Sequence, residues 1–173
     1  MKAINTEQLT KFYGKNRGIT DVNLSVEMLN MAKERFCDAT NFDYANDNYN
    51  ESLPKSDFDV IISALSIHHL DDAEKQSLFK RIFDKLPKGG VFVNYDMFNA
   101  DTKEMTEKYN QYWENLVLNS QLPTADIEHW QKGRSIDREC SVSEEIAMLK
   151  SADFENVNCL YANLKFGVVM AKK

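Results

Sequence analysis

The sequence predicts an α/β fold, a mostly parallel sheet flanked by helices and closed by an antiparallel hairpin. Residues 58–65 (FDVIISAL) form an unbroken apolar, β-branched run, the pattern of a strand buried on both faces. Residues 91–95 (VFVNY) form a second such run, and between the two, residues 72–86 repeat apolar side chains at helical spacing. Strand, helix and strand at that separation make a crossover unit, which sets the strands parallel. The last runs, 157–161 and 166–171, are joined by a tight connection and read as the closing hairpin.

The remaining elements follow in chain order. Residues 1–18 mix Lys2, Glu7, Lys11, Lys15 and Arg17 with isolated apolar residues and read as a poorly defined segment without a strand. Residues 19–23 read as a turn. Ser25 can then cap a helix with Met28, Leu29, Ala32 and Phe36 on its apolar side. Residues 43–56, rich in Asn, Asp and Tyr, read as loop beside a short strand near 40–42. Asp71 or Asp72 caps the crossover helix, which gathers Leu78, Phe79, Ile82, Phe83 and Leu86 on one face. Pro87 stops it, and Gly89-Gly90 make the turn into the next strand. Residues 101–140 read as an inserted helical lid. Its first helix carries the stripe Met105, Tyr109, Tyr112, Trp113, Leu116 and Val117; Pro123 breaks it, and Ile127 and Trp130 mark a shorter second helix. Ser141 and Glu144 form a capping box for a helix with Ile146 and Leu149. The 173 residues make one domain.

Charge and composition narrow the function. A net charge of −6 and a pI near 5.1 leave no electrostatic footprint for nucleic acid, so a small-molecule partner is expected. No stretch is long and apolar enough to span a bilayer and no signal-peptide core is present, so no membrane partner and a cytoplasmic location are expected. Cys37, Cys140 and Cys159 are far apart and in no ligand-like spacing, which reads as buried or idle thiols and no metal. A homodimer is possible.

Four stretches, taken in order, resemble one family. Asn23-Leu24-Ser25-Val26-Glu27-Met28-Leu29 resembles the D-x-S-x-x-M-L signature that closes the second strand of class I S-adenosylmethionine (SAM)-dependent methyltransferases. Ser63-Ala64-Leu65-Ser66-Ile67-His68-His69-Leu70 resembles the segment after their fourth strand, commonly S-x-x-x-x-H-H-L. Leu86-Pro87-Lys88-Gly89-Gly90 resembles the L-K-x-G-G turn before the fifth, and Leu149-Lys150-Ser151-Ala152-Asp153-Phe154 the L-x-x-A-G-F segment before the last two. The inserted helices and the hairpin look most like a subgroup of small-molecule methyltransferases, a subgroup that also resembles the carboxymethyl-transferring enzymes of wobble-uridine modification.

The resemblance implies a Rossmann-like domain that moves a methyl group from SAM to a small molecule. It implies that Asn23, Leu24, Met28, Asp43, Tyr44, Ala64 and Leu65 border the cofactor. Asn23 would stand at the ribose where the family has a carboxylate, Met28 would pack on the adenosine, and Asp43 and Tyr44 would meet the adenine. His68 and His69 lie where such a site would be. One of them, with His69 the catalytic candidate and His68 the substrate-side one, would act as a base or orient the substrate; the alternative is one histidine packed in a loop and the other solvated. Tyr109 is expected to be the exception in an otherwise buried aromatic stripe and to touch substrate. Arg134 could pair with an anionic substrate or be solvated, as could Arg138. Asp153, where the family has glycine, is expected to adopt a left-handed, helix-ending conformation.

One departure stands against these matches. The family's first strand ends in a glycine-rich turn, D-x-G-x-G-x-G, which lets the backbone approach the methionine half of the cofactor. The six glycines here (14, 18, 89, 90, 133 and 167) are not so arranged. Residues 6–19 substitute for that strand, another chain fills its place, or the sequence lacks a segment of the parent gene. The rival to methyl transfer is therefore a methyltransferase-like remnant or protein-interaction module that does not bind the cofactor.

Overall fold

The computed structural model describes residues 9–14, 18–22, 26–38, 42–46, 48–49, 51–54 and 58–173. In chain order the strands are β1 (Leu9–Gly14), β2 (Gly18–Val22), β3 (Phe42–Ala45), β4 (Val60–Ala64), β5 (Val91–Met97), β6 (Asn156–Asn163) and β7 (Phe166–Lys172). The helices are α1 (Val26–Arg35), α2 (Asp72–Lys85), α3 (Lys103–Leu118), α4 (Thr124–Arg134) and α5 (Val142–Ser151), with a 3-10 turn at Ile67–His69.

All seven strands join one sheet in the order β3-β2-β1-β4-β5-β7-β6. The expected crossover is present: β4 and β5 are parallel neighbours, Val60 opposite Val91 and Ala64 opposite Tyr95. β2 and β3 are also parallel, and β6 and β7 form the closing antiparallel hairpin. Five strands thus run one way, while β1 and β7 oppose them.

β1 corrects the reading of the first 23 residues. The segment read as poorly defined contains a central strand, and the turn read at 19–23 is β2. The pattern LTKFYG is too weakly apolar to announce a strand, so its place is set by its partners. β1 pairs antiparallel with both β2 and β4, with Gly14 opposite Gly18 and Leu9 opposite Ala64. The family's first strand is therefore replaced, within this chain, by a reversed one. β3 starts two and ends three residues later than expected, mostly inside the stretch read as loop.

The core lies between the sheet and the pair α2 and α5. Ile61, Phe92, Val169 and Ala171 face Leu78, Phe79, Ile82 and Leu149, all essentially inaccessible. Phe83 and Phe154 meet edge to face at 5.1 Å. α2 begins at a capping box, Asp71 accepting from the Glu74 amide while Glu74 accepts from that of Asp71. α5 begins the same way with Ser141 and Glu144. After Pro87 the chain turns through Gly89 at φ 85°, and a Cβ on Gly90 would stand 2.9 Å from the Pro87 carbonyl, so both positions require glycine. Asp153 adopts the expected left-handed conformation at φ 75°.

The stripe on α3 is not the buried face it was read to be. Val117 is buried, whereas Met105, Tyr112 and Leu116 are exposed. α3 and α4 lie between β5 and α5 in the chain, outside the layer formed by α2 and α5 on the sheet. Trp113 of α3 sets its ring edge-on to Phe166 of β7 at 5.0 Å.

Candidate functional site

The site is built where β4 and β5 end. In a parallel sheet, strand ends leave unpaired backbone groups around a crevice, and ligands settle there. Ala64 closes β4, and Leu65 turns the chain at φ 50°, an uncommon conformation for a branched residue. The Leu65 amide still donates to the Tyr95 carbonyl at 2.8 Å, which ties the turn to β5. Ser66 follows, its hydroxyl 2.5 Å from that of Tyr49.

Asp96, on the buried side of β5, organises the next residues. Its Oδ2 accepts the amides of Ile67 (3.0 Å) and His68 (3.1 Å), and its Oδ1 meets His68 Nδ1 at 2.5 Å. Burial alone would lower the His68 pKa; Asp96, then Asp137 and Glu139, outweigh it and raise it. The segment after α4 closes over the histidines. The Arg138 amide donates to the His68 carbonyl at 2.7 Å, and Asn99, just past β5, donates its amide to Cys140 and its side chain to the Glu139 carbonyl.

These ties bring Asp137 onto the histidine pair. Its Oδ1 lies 3.1 Å from His69 Nδ1 and 3.5 Å from His68 Nε2. Its Oδ2 accepts from Arg134 at 2.5 Å, and Arg134 also pairs with Glu139. Burial pushes the Asp137 carboxyl up, and the two imidazoles and Arg134 more than reverse this, leaving it below the ordinary carboxylate range. Behind them, buried Lys165 pairs with Glu139 and donates to Asn110 at 2.6 Å.

Beside this cluster a cavity of about 170 Å³ has Leu65, Met97, Trp113, Trp130 and Phe166 as its apolar wall, with His68, Arg134 and Asp137 at a polar corner. An adjoining hollow of about 360 Å³ shares Trp113, Trp130 and Arg134 with it. The indole Nε1 of Trp113 is buried without a hydrogen-bond partner.

The expected site residues separate into groups. Leu65, His68 and Arg134 meet at the cavity, Ala64 directly precedes it, and His69 stands beside it through Asp137. Arg134 is already engaged by two carboxylates, so it is a framework residue before it is an anion receptor. Arg138 is exposed, 3.7 Å from Asp71. Tyr109 borders a separate groove of about 180 Å³ with Tyr112, Leu116 and Leu164. Asp43 is exposed on β3, and Tyr44, its neighbour, points to the opposite face of the strand and donates its hydroxyl to the Ala32 carbonyl at 3.3 Å. Met28 is in α1, but its side chain, like Asn23 and Leu24 as a whole, lies outside the described residues. Asp96 and Asp137 were not anticipated from the sequence. Asp96 carried one available signal, a carboxylate on the buried alternation of an otherwise apolar strand; Asp137 reaches the histidines only through the fold.

The chain matches a methyltransferase-domain family over residues 2–90, half of its length. It belongs to that methyltransferase family. An uncharacterized methyltransferase of Anoxybacillus flavithermus is 30% identical over 113 residues, 61% of this chain and 52% of that one. The carboxy-S-adenosyl-L-methionine synthase of Helicobacter hepaticus is 23% identical over 122 residues, 66% and 48% of the two chains. The methyltransferase domain described here thus spans about half the length of these relatives. Among solved structures, the YcgJ protein of Bacillus subtilis superposes with a TM-score of 0.65 at 15% identity, over 91% of this chain and 82% of its own. Human N-acetylserotonin methyltransferase, solved in complex with SAM, gives 0.56 at 16% identity over 86% and 38%. The fold is therefore that of SAM-dependent methyltransferases, with a mixed sheet. Among the described residues no helix is long and apolar enough to cross a membrane.

Proposed function

We propose that this domain transfers a methyl group from SAM to a small molecule seated in the cavity at the ends of β4 and β5. The cavity carries the reading: its aromatic wall suits a flat, apolar acceptor, and its polar corner at His68 suits the acceptor's heteroatom. Such transfer is an in-line displacement at a sulfonium methyl, so the protein's task is to align the partners and exclude water. His68, fixed by Asp96, is the group best placed to hold the acceptor. His69 has its approach to the cavity taken up by Asp137, so the catalytic role expected of it passes to its neighbour. SAM is the cofactor that membership of the family supports. Its adenosine half would lie toward β2 and β3, with one of Asp43 and Tyr44 rather than both meeting the adenine.

A second reading, a domain that does not hold the cofactor, is favoured by one observation. Reversed β1 brings its first residue, Leu9, beside Ala64 at the crevice and carries Gly14 and Gly18 to the far edge of the sheet. No glycine turn can then follow this strand at the methionine half of SAM. Losing that half of the contacts costs several kcal/mol, and each 1.4 kcal/mol is tenfold in affinity. Calorimetric titration with SAM decides between the readings. Saturable binding weaker than micromolar is expected, further weakened about tenfold or more by Asp43→Ala if that residue holds the adenine. No saturable binding at millimolar SAM would leave the second reading.

A further inference from the structure

Three ligand-type atoms converge at the polar corner of the cavity without satisfying one another. His68, His69 and Asp137 each offer a ligand atom within 4.8 Å of the others, and His68 Nε2 and His69 Nδ1 are the nitrogens that approach Asp137 Oδ1. His68 gives Nδ1 to Asp96 and turns Nε2 toward Asp137 Oδ1, and at 3.5 Å the two are too far apart for a normal hydrogen bond. His69 Nδ1 approaches the same oxygen to 3.1 Å, yet out of line, and it is buried with no hydrogen-bond partner.

We propose that His68 Nε2, His69 Nδ1 and Asp137 Oδ1 form a three-ligand site for a borderline divalent cation of the Zn²⁺ type. Metal–ligand bonds of about 2.0–2.2 Å at tetrahedral angles put neighbouring ligand atoms about 3.4 Å apart. The two separations to Asp137 bracket that value, and a side-chain adjustment of at most about 1.4 Å closes the third edge. Two imidazoles and one carboxylate are the donor set such cations take, and three protein ligands leave a coordination position open.

The support around the ligands is also that of a metal site. Asp96 holds the remote nitrogen of His68 at 2.5 Å, the carboxylate–histidine arrangement that fixes a ligating ring. Arg134 occupies the other oxygen of Asp137, so Oδ1 is left to coordinate alone. Both His68 nitrogens would then be engaged, so an acceptor heteroatom seated at this corner of the cavity would meet the metal's open position in place of the imidazole. The histidines are adjacent while Asp137 lies 68 residues on, beyond any spacing motif. The site stands on this geometry alone and does not depend on methyl transfer.

The test is calorimetric titration of Zn²⁺ into EDTA-stripped protein carrying Cys37→Ser and Cys159→Ser, which removes the two exposed thiols as competitors. One equivalent is expected at micromolar affinity or tighter. Asp137→Asn and His69→Gln should each weaken it by about a hundredfold, and Asp96→Asn, acting through the His68 ring and the turn that carries it, by about 10- to 100-fold. Thermal unfolding without metal verifies that each variant is folded. In parallel, Co²⁺ should show visible absorption from a low-symmetry nitrogen–oxygen site that Asp137→Asn abolishes. Absence of binding at 100 µM Zn²⁺, or equal affinity in the parent and in folded Asp137→Asn and His69→Gln, would overturn the site.

Discussion

At the scale of single residues, the buried polar side chains beneath the sheet have the largest energetic stakes. Glu145 of α5 is fully enclosed against β5, where Asn94 Nδ2 donates to both its oxygens at 3.0 Å. Burial, reinforced by the charge of Asp96, pushes its pKa up to about 8, with Asn94 and Lys75 opposing. The native state therefore keeps a proton that the unfolded chain releases between pH 4.5 and about 8. The sign follows: stability is greatest below that window, falls as pH rises through it, and levels off above. The full loss is of order 4–5 kcal/mol as an upper bound. Glu145→Gln should flatten the dependence, because a neutral amide needs no proton and can donate to Asn94 Oδ1, which has no partner. Urea unfolding at pH 6 and pH 9 measures this; an equal pH dependence in both proteins would remove Glu145 as its source. Residues of this kind were the least legible in the sequence. A cap such as Ser141 is read from its neighbours three positions away, as is the left-handed Asp153 from the helix it ends. Glu145 looks like an ordinary member of a helix's first turn, and only the fold shows it facing Asn94.

At the scale of elements, legibility follows how much of the signal is local. α2 and α5 both begin at capping boxes, α2 stops before Pro87-Lys88-Gly89-Gly90, and both lie where the sequence placed them. α3 has the right length, but its apolar stripe indicated a buried face that the fold does not cover, since periodicity reports amphipathicity and not the partner. The β6–β7 hairpin was legible, its turn chemistry was not. Leu164 occupies that turn at φ 52° and is 41% exposed, a conformation that costs a side chain with a branched body about 1 kcal/mol or more. Leu164→Asn should therefore stabilise the protein by roughly 0.5–1 kcal/mol, because Asn tolerates the left-handed region. A midpoint of thermal unfolding that stays level or falls would show that Leu164 contributes more through contact across the α3 groove than it loses in backbone strain.

At the scale of the whole molecule, the α/β class and the β4–α2–β5 crossover were readable because buried parallel strands are apolar throughout. The direction of β1 was not. A strand such as LTKFYG can pair with either polarity, but the three residues between Gly14 and Gly18 are too few for a parallel crossover, so β1 and β2 run antiparallel. That reversal also decides how the sheet can be assembled in time. β1 and β2 are separated only by residues 15–17, so their ladder is closed by one of the shortest connections in the chain, whereas β1 reaches β4 across more than forty residues. The central strand can thus arrive at β4 as the edge of a preformed unit, and the slow search for long-range register is made once. Lengthening each connection with about ten Gly/Ser residues separates the two contributions. Between Gly14 and Gly18 the added chain entropy is about 1.3 kcal/mol, against about 0.5 kcal/mol in the connection from β3 to β4. The first insertion should also slow refolding more than the second, since it delays the local step on which the later docking waits. A protein built this way holds the middle of its sheet on a leash of three residues.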